Sequence, residues 1–135
     1  MAQLIDSSVF IALERRGLSL GALAAAIPDE PIALSSMTAS ELLIGVHRAD
    51  SPERRSRREA FVEAILLAIP VVPFDLRVAR THARLFAELA GVGQPIGAHD
   101  LIIAATAVAN GLAVLTDNLR HFDRVPGLRV LQPRW

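Results

Sequence analysis

The chain has 135 residues, a length that fits one ordinary domain built around its own core. Apolar residues make up 52% of it, which argues against disorder, and the absence of cysteine excludes disulfides, zinc–thiolate sites and cysteine nucleophiles. Fourteen acidic residues balance fourteen basic ones, so net charge carries no message about nucleic acid; every basic residue is arginine.

Leu4-Ile5, just ahead of Asp6, reads as the end of a short buried strand. A helical pattern follows from about Val9 to Arg15 and breaks at Gly17. Leu18 to Ile27 predicts a second, Ala/Leu-rich helix stopped by Pro28 and Pro31. Ile32-Ala33-Leu34 is a second strand, and Thr38 starts a helix whose apolar face includes Leu42, Leu43 and Val46. Ser51-Pro52 opens another helix to about Ala68, with Arg54, Arg55, Arg57 and Arg58 in its first half. Val71-Val72 is a third strand, Asp75 to Ala90 a helix, and Gly91-Val92-Gly93-Gln94-Pro95 a loop. Asp100 stands at the start of an Ala-rich helix that stops at Asn110-Gly111. Ala113-Val114-Leu115 is the fourth strand and Leu128 to Leu131 the fifth.

Short strands separated by helices predict an α/β fold, with a parallel sheet of about five strands covered on both faces, in one domain over residues 1–135. The apolar runs fall short of the ~20 residues of a membrane span. No basic flank precedes an apolar run at Met1-Ala2-Gln3, so no signal peptide is expected and the reading is a soluble, cytoplasmic protein.

Ligands of such sheets bind beyond the carboxyl ends of the strands. Asp6 follows the first strand, Glu41 sits in the first turn after the second, Asp100 opens a later helix, and Asp117 follows the fourth strand. Four carboxylates from distant parts of the chain are thus placed to gather at one sheet edge. Each also has a plain structural reading: Thr38-Ala39-Ser40-Glu41 has the spacing of a capping box, and Asp6, Asp100 and Asp117 are suited to helix N-caps.

Four segments in order resemble the PIN-domain nucleases: Leu4-Ile5-Asp6-Ser7-Ser8, Ser40-Glu41-Leu42-Leu43-Ile44-Gly45, Ile96 to Ala107 around His99-Asp100, and Leu115-Thr116-Asp117-Asn118-Leu119-Arg120-His121-Phe122. The stretch Val125-Pro126-Gly127-Leu128 is similar to the VapC-type toxins of bacterial toxin–antitoxin pairs. The resemblance implies an endoribonuclease with a metal site formed by Asp6, Glu41 and Asp100, with Asp117 as fourth acid. Asn118 and Asp123 are alternatives for that last place. It further implies an RNA substrate, a small VapB-like antitoxin as partner, and a homodimer or a toxin–antitoxin hetero-oligomer. The faces Leu18–Ile27 and Ile65–Ala68 offer apolar area for such contacts, or are ordinary core.

Carboxylates packed in one cleft repel, and a hard cation such as Mg²⁺ or Mn²⁺ keeps them ionised. Such an ion also acidifies an attacking water and offsets charge on a phosphodiester. His99 invites a general-base reading but equally a solvent-facing one, and Ser7 and Ser8 are either site hydroxyls or caps. The run Arg54 to Arg58 is either a solvated helix face or a contact for RNA phosphates. Receiver-type phospho-acceptors and haloacid-dehalogenase-type phosphatases fit poorly, because each uses a lysine and this chain has none. The non-enzymatic rival is a catalytically silent PIN-like module that binds RNA or protein.

Overall fold

The computed structural model describes residues 2–27, 30–93 and 96–135. Among these, five strands and seven helices alternate along the chain. The first half runs β1 (Gln3–Ile5), α1 (Ser7–Arg15), α2 (Leu20–Ala26), β2 (Ile32–Ser35), α3 (Ser36–His47) and α4 (Pro52–Ala68). The second runs β3 (Val71–Val72), α5 (Leu76–Gly91), α6 (Ala98–Ala109), β4 (Ala113–Leu115), α7 (Leu119–Phe122) and β5 (Val130–Leu131). Pro28, expected to stop the second helix, and Gln94-Pro95 of the expected loop lie outside the described residues.

Every strand pair is parallel and the order across the sheet is β3-β2-β1-β4-β5. Side chains alternate between the two faces of a strand, and both faces here are apolar. Ile5, Leu34, Leu115 and Leu131 therefore pack into one core with α1 to α4, around Phe10, Leu13, Leu23 and Ile65. Leu4, Ala33, Val114 and Val130 pack into a second core with α5 to α7, around Val78, Leu85, Ile103 and Phe122. The α/β architecture expected from the sequence is the observed one.

Element ends differ by small, explicable steps. The helix expected from Thr38 starts at Ser36, because Ser35 at the end of β2 is the cap, its Oγ accepting from the Thr38 backbone N–H at 3.0 Å. The helix expected from Asp100 starts at Ala98. The last strand pairs only at Val130 and Leu131, since Gly127, at φ 75°, turns the chain just before it. Asp75 and Ser51 cap α5 and α4 through their side chains, which accept from Val78 and Arg54. The Ala/Leu-rich faces are mostly core: Leu23 and Ile65 are buried and Leu18, Leu20 and Leu66 pack on the same cluster, leaving Leu67, 92% exposed. No helix among the described residues is long and apolar enough to cross a membrane.

Candidate active site

The strand order places a switch point at the middle of the sheet. From β1 the chain leaves towards β2 on one side, while β4 lies on the other side and leads outward to β5. The connections diverge there and leave a crevice above the carboxyl ends of β1 and β4. Asp6 is the residue that follows β1, and Thr116 the one that follows β4.

Asp6 occupies the N-cap position of α1 with extended backbone, yet its side chain makes no cap bond. Its carboxylate, in a residue only 4% exposed, accepts instead from Ser8 Oγ at 2.7 Å and Thr116 Oγ1 at 2.9 Å. Both hydroxyls are anchored in turn, Ser8 Oγ accepting from the Asp117 backbone N–H and Thr116 Oγ1 from that of Asn118. The turn after β4 is thereby bonded to the first turn of α1.

Glu41 lies in the second turn of α3, one turn deeper than expected, and does not close a capping box. Its Oε1 accepts from Ser7 Oγ at 3.2 Å, and its Oε2 lies 3.5 Å from His99 Nδ1. Asp100 is the third residue of α6, whose N-cap is Gly97. A Cβ at Gly97 would come within 3.2 Å of Asp100 Oδ2, so the glycine leaves room for that carboxylate. The same Oδ2 lies 3.1 Å from His121 Nδ1 on α7. Asp117 is exposed at the rim, beside Ser8 and Asn118. Asp123, at the far end of α7, is exposed as its C-cap.

The fold thus gathers Asp6, Glu41 and Asp100, from three separate elements, in one crevice, with Asp117 at its edge. A PIN-domain family model matches residues 4–128, nearly the whole chain and all of these positions. The chain belongs to the PIN-domain family. Among curated relatives, this PIN domain is 36% identical to "Ribonuclease VapC1" of Rickettsia felis over 131 residues, 97% of this chain and 96% of that one. It is 39% identical to "tRNA(fMet)-specific endonuclease VapC" of Salmonella typhimurium over 97 residues, 72% of this chain and 71% of that one. A solved structure of DNA-bound VapBC from Salmonella typhimurium superposes with a TM-score of 0.85 at 30% identity, covering 98% of both chains. VapBC-5 of Mycobacterium tuberculosis superposes with a TM-score of 0.77 at 32% identity, covering 97% of this chain and 98% of that one.

The PIN-domain crevice is electrostatically strained. Burial raises the pKa of Glu41 above its ordinary value, and the charge of Asp6 adds to the rise. Burial also raises that of Asp100; His121 pulls it back and Asp6 pushes it further up. These are oxygen donors short of positive charge, the chemistry that a hard divalent cation satisfies. Among the described residues no three His, Asp or Glu side chains form a ready ligand cluster, and the carboxylates bond to or pair with Ser7, Ser8, Thr116, His99 and His121. Mg²⁺ keeps several waters and needs only one or two direct carboxylates, so this donor set fits it.

A raised carboxylate pKa means that the folded state binds more protons than the unfolded one between the two pKa values. Stability of the metal-free PIN domain therefore falls as pH rises through that window. Replacing Glu41 with Gln, which removes the charge and keeps an acceptor for Ser7, is expected to raise the melting temperature in EDTA at pH 7.5. The gain should disappear below about pH 4, where the carboxyl is protonated in both states. Melting curves of both proteins at the two pH values check this, and an unchanged or lower melting point at pH 7.5 would contradict it.

Sequence reasoning left His121 and Thr116 without a role, and the structure sets both against site carboxylates. Thr116 does carry a sequence signal, as the residue directly after a strand and beside an acid. The His121 contact had no local signal, because its partner sits on another helix. The basic run is largely committed within the protein: Arg54 pairs with Asp50, Arg55 donates to the His47 carbonyl, and Arg58 bridges Glu14 and the Gly45 carbonyl.

Proposed function

We propose that this chain is a divalent-metal-dependent endoribonuclease and the toxin of a toxin–antitoxin pair. The observation that carries the reading is the convergence of Asp6, Glu41 and Asp100 on the crevice between β1 and β4. Relatives named as VapC ribonucleases support the activity, and the likeness to VapBC complexes supports the pairing.

Asp6, Glu41 and Asp100 would hold Mg²⁺ or Mn²⁺, with Asp117 at the rim as a further oxygen donor. When bound, such an ion supplies an acidified water and positive charge against the phosphate oxygens. The chain's own residues do the positioning. Ser8 and Thr116 fix the Asp6 carboxylate from one side, so that its rotamer is set before substrate arrives. Ser7 holds one oxygen of Glu41, while His99 and His121 flank Glu41 and Asp100 and can move aside or remain as donors.

The antitoxin is proposed to be a small protein that closes this crevice. A groove of about 300 Å³ runs from Glu41 and Ser7 between α1, α3 and α4, lined by Phe10, Ile11, Phe61 and Val62, and gives an apolar segment of that protein a seat next to the acids. Purified chain incubated with mixed RNA should release discrete fragments with Mg²⁺ or Mn²⁺ and none with EDTA. The product of a neighbouring antitoxin gene should suppress them. A folded, antitoxin-free sample that cuts nothing under any metal condition would favour the silent binding module instead.

A further inference from the structure

A second groove leaves the crevice on the other side of α1. It has a volume of about 420 Å³ and is bounded by Ser8, Ile11, Arg15 and Arg16 on one wall and by Asp117 and Asn118 on the other. One end carries the Asp117 carboxylate and reaches the site through Ser8, which bonds to Asp6 and to the Asp117 backbone. The other end carries two exposed guanidinium groups. Arg15 lies seven positions beyond Ser8 along α1, about 10 Å of helix rise.

Arg16 is held in place. Its guanidinium lies over the Trp135 ring at 5.7 Å from the centroid, and Trp135 packs on the core beneath α1. Arg15 stands on the ridge between this groove and the one that meets Glu41. By contrast, three arginines of α4 are tied to protein acceptors.

We infer that this groove is the track for the RNA strand flanking the cleavage point, with Arg15 and Arg16 binding the phosphates next to the one being cut. The inference rests on the nuclease reading above and adds to it which face of α1 the substrate uses. The charge order fits it: the reacting phosphate lies at the carboxylate end, where a cation would offset the repulsion, and its neighbours lie at the arginine end. Planar guanidinium forks suit phosphate oxygens, and the exposed Asn118 on the opposite wall suits sugar hydroxyls. The track reads backbone, so these two arginines contribute affinity and direction without base preference.

The test is binding of a fluorescently labelled 12-nucleotide single-stranded RNA by the full chain in EDTA, followed by anisotropy across a range of KCl, with the RNA checked intact on a gel. Arg15→Gln with Arg16→Gln should weaken binding about tenfold and make the log–log salt dependence shallower by about 1.4, since each lost phosphate contact on a single strand accounts for about 0.7. Arg15→Lys with Arg16→Lys should recover most of that slope, and Arg84→Gln on α5 should leave it at the wild-type value. A double Gln variant with wild-type affinity and slope would overturn the inference. So would an equal loss in Arg84→Gln, which would mean that any surface arginine contributes alike. Cleavage of the same RNA by wild type in Mg²⁺, run in parallel, reports on the nuclease reading separately.

Discussion

Asp6→Asn should yield a folded protein whose RNA cleavage is slower by about 10²-fold or more, the size of loss seen when electrostatic stabilisation of a transition state is weakened, here through loss of a carboxylate that would hold the cation. The two bonds that Asp6 accepts both end on Oδ2. An asparagine with its carbonyl in that place keeps Ser8 and Thr116 satisfied, because a carbonyl oxygen has two lone pairs. What is lost is the charge, at nearly constant shape and in a residue already buried. A melting curve and a cleavage time course on the same preparation separate the two effects. Wild-type cleavage by the variant would remove Asp6 from the centre of the site. Lost cleavage with a collapsed melt would mean that Asp6 acts through the fold. Asp117, exposed at the rim, should give a smaller loss on the same change.

Phe122→Ala carries the largest expected cost in stability, about 3–5 kcal/mol, the range for removing a buried aromatic ring and leaving its cavity. Phe122 is fully buried, in the core beneath α5 and α6. A domain of this kind has only about 5–15 kcal/mol of net stability, so the change removes a large part of it. Chemical denaturation should show the shift in midpoint. The consequence extends to the site, because Phe122 anchors a four-residue helix that carries His121 to Asp100. A variant with full stability would show that α7 is held mainly by its turns.

The parallel sheet was legible because strands buried on both faces read as unbroken apolar pairs and triplets, such as Leu4-Ile5 and Ala113-Val114-Leu115. Asp6, Glu41 and Asp100 could be picked out because strand ends and helix starts mark where such sheets gather polar groups. What the sequence obscured was which hydroxyl caps which helix. Ser35 and Thr38 are equally good caps by composition, and only the end of β2 chooses Ser35. That choice moves Glu41 from a capping role into the crevice. The contacts of His99 and His121 depend on how α3, α6 and α7 meet above the sheet, and no local spacing encodes that.

The placement of β4 between β1 and β5 has a consequence for synthesis. A ribosome releases Asp6 and Glu41 first, and Asp100, and then Thr116 beyond β4, emerge only after them. Until then the central strand has a neighbour on one side alone, and the hydroxyl that fixes Asp6 does not yet exist. A chain that ends before Asp100 therefore carries Asp6 and Glu41 without the third acid proposed for the site. For a protein proposed to cut the RNA of its own cell, the order of its strands delays danger until β4 and the turn after it have been made.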